Sequence, residues 1–334
     1  MHAHAPLHFP QVSFPMSTPT PTPTPTPAPI RLTLAHSPDA DDLVMWWPLT
    51  GLHHANGSPF SGADGKPALD THGITFELIA ADIHTLNTRA ANQHDLDITA
   101  ISAMTYPLVK DHYRITACGG SFGRGYGPKV VVKKDSSIMC DGCLRGQKPT
   151  IAVPGDKTTA FGVLAMVLDG PFEHVIMPFE QIAPAVAAGE VGAGLLIHEA
   201  QLLYQSLGLR EVIDLGIWWE KQTSLPLPLG LNVIHRKLDK TYGQGTSETV
   251  AQLLSQSVRY ARAHPAVCQR LLLDRVGDRP EWADQTLVTR YLDMYVNDLT
   301  EDMGSQGRDA LGRLFAEAAS RNLCSEPGPI DILS

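Results

Sequence analysis

The sequence predicts an α/β fold of two lobes with a helical C-terminal segment. Three observations carry this. From Ile30 onward, short apolar runs alternate with amphipathic helical patterns. The alternation restarts after a glycine-rich stretch at 119–128, and the last hundred residues show apolar positions at helical spacing only. At 334 residues, 43% of them hydrophobic, the chain can bury two separate cores.

Each element follows in order. Ile30 to Ala35 reads as a strand, and Pro38 to Thr50 as a turn and helix opened by Asp39, Asp41 and Asp42, acids that suit a helix N-terminus. Ile74 to Ala80 is a second strand, Ile83 to Asn92 a helix, and Leu96 to Ile101 a strand ending at Ser102. Ala103 to Lys110 returns as helix and Ile115 to Cys118 as strand. The run Gly123-Arg124-Gly125-Tyr126-Gly127-Pro128 then permits a tight crossing into a strand at Lys129 to Val132.

The second block repeats this grammar. Strands are expected at Thr150 to Val153, His174 to Met177, Gly192 to Ile197 and Val212 to Leu215, and helices from Thr158 to Leu168 and Phe179 to Ala188. Helices at Val250 to Ala261, Gln285 to Val296 and Ala310 to Leu323 complete the chain. The expected organisation is a tail over 1–29, a first lobe of 30–127 plus 239–334, and a second lobe of 128–238, with the functional site in the cleft between them.

Composition excludes several classes. The net charge of -9 argues against a nucleic-acid surface. No run is long and apolar enough to span a membrane, and the Thr-Pro repeat from Thr18 to Pro27, expected to be extended and disordered, lacks the basic and apolar regions of a secretory signal. The five cysteines are odd in number and scattered, which fits a reducing cytoplasm. Cys140 and Cys143 have the spacing of half a zinc site, but no second pair matches them, so a loop carrying two thiols or a local disulfide is expected and no metal. His53 and His54, in a Gly- and Pro-rich insertion at 51–73, read as part of a solvated surface loop.

In open parallel sheets, strand ends and the helix N-termini that follow them form a crevice with free amides. Ser37 with Asp42, Ala100-Ile101-Ser102, and Thr158-Thr159-Ala160 after Gly155 all fall at such places. Each is suited to hold an anionic or polyhydroxylated ligand, and each is equally suited to cap a helix. Gly155 and Lys157 lack phosphate-loop spacing, and Gly123 to Gly127 lacks the dinucleotide fingerprint, so neither nucleotide class is indicated. Leu195-Leu196-Ile197-His198-Glu199-Ala200 ends a buried strand in an imidazole. His198 is therefore either a capping or core histidine or a proton-transfer group facing the cleft.

Taken together, these stretches carry a resemblance. Ser37-Pro38 with Asp42, Asn87, Ile101-Ser102, Gly123 to Pro128 with Arg124, Val153-Pro154-Gly155 with Thr158-Thr159-Ala160, and Leu195 to Ala200 resemble the 1,4-dihydroxy-6-naphthoate synthase family of the futalosine route to menaquinone. So do Asp214 to Glu220 and Leu225 to Gly230. The resemblance implies a two-lobed fold similar to class II periplasmic binding proteins. It also implies a cofactor-independent lyase that cleaves a carbon-carbon bond in cyclic dehypoxanthine futalosine, with His198 as catalytic base. Substrate contacts are implied at Ala100, Ile101, Ser102, Thr159 and Ala160, and Ser37, Asp42, Asn87, Arg124 and Thr158 join the candidate binding set. The expected partner is a small anionic substrate, with no nucleic acid or membrane and with a homodimer left open.

The chain departs from the family pattern in two respects. Where the family usually has Cys-Pro-Asn-Asp after its first Ser-Pro, this sequence has Asp39-Ala40-Asp41-Asp42, which adds negative charge beside a pocket expected to hold a carboxylate. The insertions at 51–73 and 135–146 are the other. A non-catalytic solute-binding protein and the sister activity, chorismate dehydratase, share the implied fold and are the competing readings.

Overall fold

The computed structural model describes residues 29–333 apart from 55, 61–62 and 278–279. The tail expected over 1–29 therefore lies, but for Pro29, outside the described residues. The first sheet begins with β1 (Ile30–His36), β2 (Ile74–Ala80), β3 (Ile98–Ser102), β4 (Tyr113–Thr116) and β5 (Ser121–Gly123). The second holds β6 (Lys129–Lys133), β7 (Ile151–Val153), β8 (His174–Ile176), β9 (Ala193–Leu196) and β10 (Leu209–Asp214). The chain then returns to the first sheet as β11 (Leu227–His235) and β12 (Ile332–Leu333).

The first sheet runs β12-β4-β11-β3-β1-β2, with β5 paired to β11, and the second runs β10-β6-β9-β7-β8. β1 lies parallel to β2 and β3, and β7 lies parallel to β8 and β9, as helical crossovers require. β11 and β6 are antiparallel to their neighbours because each enters its sheet directly from the other lobe. Their strands are short and apolar, and Leu32, Leu34, Ile98, Val130, Val131 and Leu195 are fully buried, as expected of a sheet covered on both faces.

One expected boundary changes. The limit at 238 assigned 227–235 to the second lobe, yet β11 pairs with β3, β4 and β5 and sits inside the first sheet. Pro228 hides this strand from a pattern reading, since proline cannot donate to a ladder; the pairing with β5 shifts register between Pro228 and Gly230.

The chain thus crosses between sheets twice, after β5 and before β11. At the crossing the backbones nearly touch: a Cβ on Gly216 would overlap the Tyr126 carbonyl, and one on Gly127 would lie 2.5 Å from the Gly216 nitrogen. Only glycine leaves that approach open.

The C-terminal helices fold back on the first lobe. Val250, Leu254 and Val258 of the helix Thr246–Ala263 share a core with Leu34, Met45 and Trp46, while Leu272, Trp282 and Tyr291 share another with Trp47. Phe60, from the insertion at 51–73, is buried in that second core, and His54 Nδ1 lies 2.6 Å from Asp274 Oδ1. The expected solvated loop is therefore tied down by packing and by the contact of His54 with Asp274. Cys140 caps the helix Asp141–Gln147 rather than lying in a loop, with its Sγ 2.8 Å from that of Cys143; both are free thiols. Among the described residues no helix is long and apolar enough to cross a membrane.

Candidate active site

The C-terminal ends of β1, β3 and β9 and the helix that follows β7 converge on a cavity between the lobes. At the end of β1, the turn before the helix Ala40–Thr50 is built from its own acids. Ser37 donates its backbone N–H to Asp42 Oδ2 (2.8 Å) and its hydroxyl to Asp39 Oδ2 (2.5 Å), while Trp46 Nε1 donates to Asp42 Oδ1 (3.3 Å). Tyr291 donates its hydroxyl to Asp41 Oδ1 at 3.0 Å, bringing the C-terminal helix Gln285–Tyr295 to the cavity wall.

At the end of β3, Ser102 is gripped from behind. Its N–H donates to Asn87 Oδ1 (2.8 Å), and Asn87 Nδ2 donates to its hydroxyl oxygen (3.0 Å). Across the cleft, Thr158 caps the helix Thr159–Leu168 by accepting from Phe161 N at 3.1 Å. The amides of Thr159 and Ala160 belong to the first turn, outside the helical ladder, at the positive end of the helix dipole. Thr159 Oγ1 donates to Leu229 O (2.8 Å) and accepts from Met104 N (3.2 Å), which ties the second lobe to the first.

His198 follows β9 with φ 52°, in the left-handed region that a side chain other than glycine's enters at some cost. Gln201 holds this turn. With its amide oxygen toward the donors, it accepts from His198 N (3.1 Å) and Tyr295 Oη (2.9 Å), and its NH₂ donates to Gly127 O. The ring of Phe179 packs edge-on at 4.9 Å. His198 lines the cavity; its Nδ1 lies 2.9 Å from Asp39 Oδ2, a carboxylate only 1% exposed, and its Nε2 is buried without a hydrogen-bond partner among the described residues.

The electrostatics follow from burial among carboxylates. Burial alone pulls the imidazole down, but Asp39, with Glu199 and Asp41 behind it, more than reverses this, and His198 is pushed up to about 9. Burial, then Asp42 and Asp39, holds Asp41 well above the usual carboxylate range. Burial likewise raises Asp42, with His36 opposing. Among the described residues the cavity lining holds no Lys or Arg. The positive charge available to an anion is the His198 imidazolium together with the helix N-terminus at Thr159. Among the described residues, no three His, Cys, Asp or Glu side chains are grouped to hold a metal.

Of the candidate residues, Ser37, Asp42, Ala100, Ile101, Ser102, Thr158, Thr159, Ala160 and His198 line the cavity. Asn87 does not: it is fully buried behind Ser102 and acts through it. Arg124 does not either; it is exposed, and its Nη2 donates to Gln306 Oε1 at 2.9 Å. Pattern reading missed Asp39 as a partner of His198, and it missed Gln201, Tyr291 and Tyr295. The two tyrosines sit four residues apart on one helical face, a signal also given by ordinary core positions.

Comparison with known proteins agrees with this architecture. The family model for menaquinone biosynthesis matches residues 32–320. The 1,4-dihydroxy-6-naphthoate synthase of Thermus thermophilus is 38% identical over 256 residues, covering 77% of this chain and 88% of the relative. That of Streptomyces coelicolor is 34% identical over 303 residues, covering 89% and 96%. A crystal structure of an Archaeoglobus fulgidus protein, 34% identical, superposes with a TM-score of 0.70 over 88% of this chain and 98% of that one. The alkanesulfonate-binding protein of Xanthomonas axonopodis, 13% identical, has a TM-score of 0.64 over 92% of this chain and 99% of its own, and shows the periplasmic-binding-protein-like fold alone. With the family model spanning most of its length and both synthases more than 30% identical, the chain belongs to the menaquinone biosynthesis family.

Proposed function

We propose that the protein is a carbon-carbon lyase that converts cyclic dehypoxanthine futalosine to 1,4-dihydroxy-6-naphthoate, with His198 as general base. The observation that carries the reading is His198 itself, a residue of the interlobe cavity lining whose Nε2 has no hydrogen-bond partner among the described residues while its Nδ1 lies against Asp39. The two relatives named for this activity support it.

The chemistry suits the site. The neutral imidazole takes a hydroxyl proton from the substrate, that oxygen forms a new carbonyl as the carbon-carbon bond breaks in a retro-aldol sense, the bonding pair moves onto a neighbouring carbonyl as an enolate, and the imidazolium returns the proton. The Ser102 hydroxyl and the Thr159 and Ala160 amides stand where that oxyanion, or the substrate carboxylate, would be held. Aromatisation of the ring released by the cleavage then makes the step hard to reverse. The lobes, tied by Thr159, keep water out while the base acts.

Incubation with cyclic dehypoxanthine futalosine tests this by chromatography of the product. The naphthoate is expected, and His198→Ala is expected to lose at least about a hundredfold in rate. Binding of substrate with no turnover would overturn the reading in favour of a solute-binding protein. Full activity in the variant would remove His198 from it.

A further inference from the structure

We propose that Asp39 is a positioning residue that holds His198 Nδ1 from the opposite lobe, so that the catalytic base is complete only where both lobes meet. The proposal rests on the reading of His198 as base and adds a partner that the family pattern, with cysteine at this place, does not supply.

Asp39 gives up its ordinary local task. It precedes the first residue of the helix Ala40–Thr50, where an aspartate normally caps by accepting from a backbone amide, yet its side chain makes no capping bond. Its Oδ2 instead takes the Ser37 hydroxyl from its own turn and faces His198 Nδ1 from the other lobe. The Ser37 bond fixes the carboxylate before the lobes meet, since both residues belong to one turn.

His198 is fixed from the other side. Its left-handed backbone is held by Gln201, and its ring is packed against Phe179. An acceptor at Nδ1 requires that the neutral ring carry its hydrogen there, which leaves Nε2, without a hydrogen-bond partner among the described residues, as the basic nitrogen. The same division of labour, with a buried carboxylate choosing the tautomer and an imidazole moving the proton, operates in serine protease triads. Here the two members come from different lobes.

Other charged or titratable groups face the ring. Asp41 comes from the helix that follows Asp39 and is bonded to Tyr291; Glu199 is the next residue in the chain and accepts from Trp282 Nε1 at 3.1 Å. Both raise the imidazole, and the ion pair at Nδ1 is with Asp39. Removing Asp39 should therefore change the tautomer as well as the titration, whereas a general loss of negative charge would change the titration alone.

The test is ¹⁵N NMR of the imidazole in the full-length protein, read beside steady-state kinetics over pH. In the native protein, neutral His198 is expected to carry its hydrogen on Nδ1. In Asp39→Asn, which keeps the shape, its titration is expected to fall by at least about one pH unit, with kcat down about a hundredfold and KM changed less than about threefold. The rising limb of kcat/KM should move to lower pH with the titration. Hydrogen on Nε2 in the native neutral ring, or an unchanged titration in Asp39→Asn, would overturn the proposal. If Asp39→Asn does not fold, the native tautomer alone decides. If the native protein does not convert cyclic dehypoxanthine futalosine, the functional reading falls while the NMR result still judges the pair. Turnover with an unchanged Asp39→Asn titration removes Asp39 and leaves the function standing.

Discussion

Asn87 and Ser102 exchange two hydrogen bonds, one in each direction, from the backbone amide of Ser102 and to its hydroxyl oxygen. Because that oxygen accepts from Asn87, its own hydrogen is left to point elsewhere, and the side of Ser102 away from Asn87 is the cavity. Ser102→Ala is expected to raise KM about tenfold with a smaller change in kcat, measured by initial rates. Asn87→Ala leaves a buried amide without its acceptor and should cost about 1–3 kcal/mol of stability by urea unfolding.

The pH profile follows from the imidazole. With His198 at about 9, only about a hundredth of the protein carries the free base at pH 7. The ratio kcat/KM should therefore rise about tenfold per pH unit and level off near 9. A profile already flat at neutral pH would contradict the site as drawn.

Stability should move the opposite way. The folded protein holds the His198 proton more tightly than an ordinary imidazole at 6.5, so the stabilisation is full below 6.5 and is lost as pH rises through 9. Its size is on the order of 3 kcal/mol. Urea unfolding of the native protein and His198→Ala at a series of pH values should show this difference shrinking across that window.

The crossing permits a sharper mutational test. Gly216→Ala places a methyl group against the Tyr126 carbonyl, where both strands of the connection are backbone and neither can yield cheaply. The expected loss is about 3 kcal/mol or more, seen as a lower Tm or as insoluble protein.

Phe60 tests whether the insertion is structural. Phe60→Ala removes a ring that is 2% exposed and packed with Trp47, Leu272 and Trp282. A loss of about 3–5 kcal/mol is expected in denaturant unfolding, with kcat and KM at permissive temperature close to native. A loss below about 1 kcal/mol would return the insertion to the surface.

The two-lobed fold was legible because alternating strands and helices leave periodic apolar patterns, and these hold for β1, β2, β3 and the helix Phe179–Ala188. β11 was not, since Leu225-Pro226-Leu227-Pro228 reads as a break rather than as a strand in the middle of a sheet. The position of His198 on the cavity lining was legible from its place at a strand end. Asp39 was noticed only as excess charge: an acid at a helix start has a sufficient local explanation, and nothing local reveals that its partner comes from the other lobe. Arg124, off the cavity lining, shows the converse: a motif gives sequence neighbours and not the direction in which a loop turns.

The paired connections between the sheets constrain how a substrate gets in. Residues 124–128 and 215–226 pass side by side, with Gly127 against Gly216. Two connections at one place favour rotation of one lobe against the other about them. Opening would then part Thr159 from Leu229 and His198 from Asp39 in the same stroke. Substrate entry and disassembly of the proton-transfer pair become one movement, so an open enzyme would be a chemically silent one.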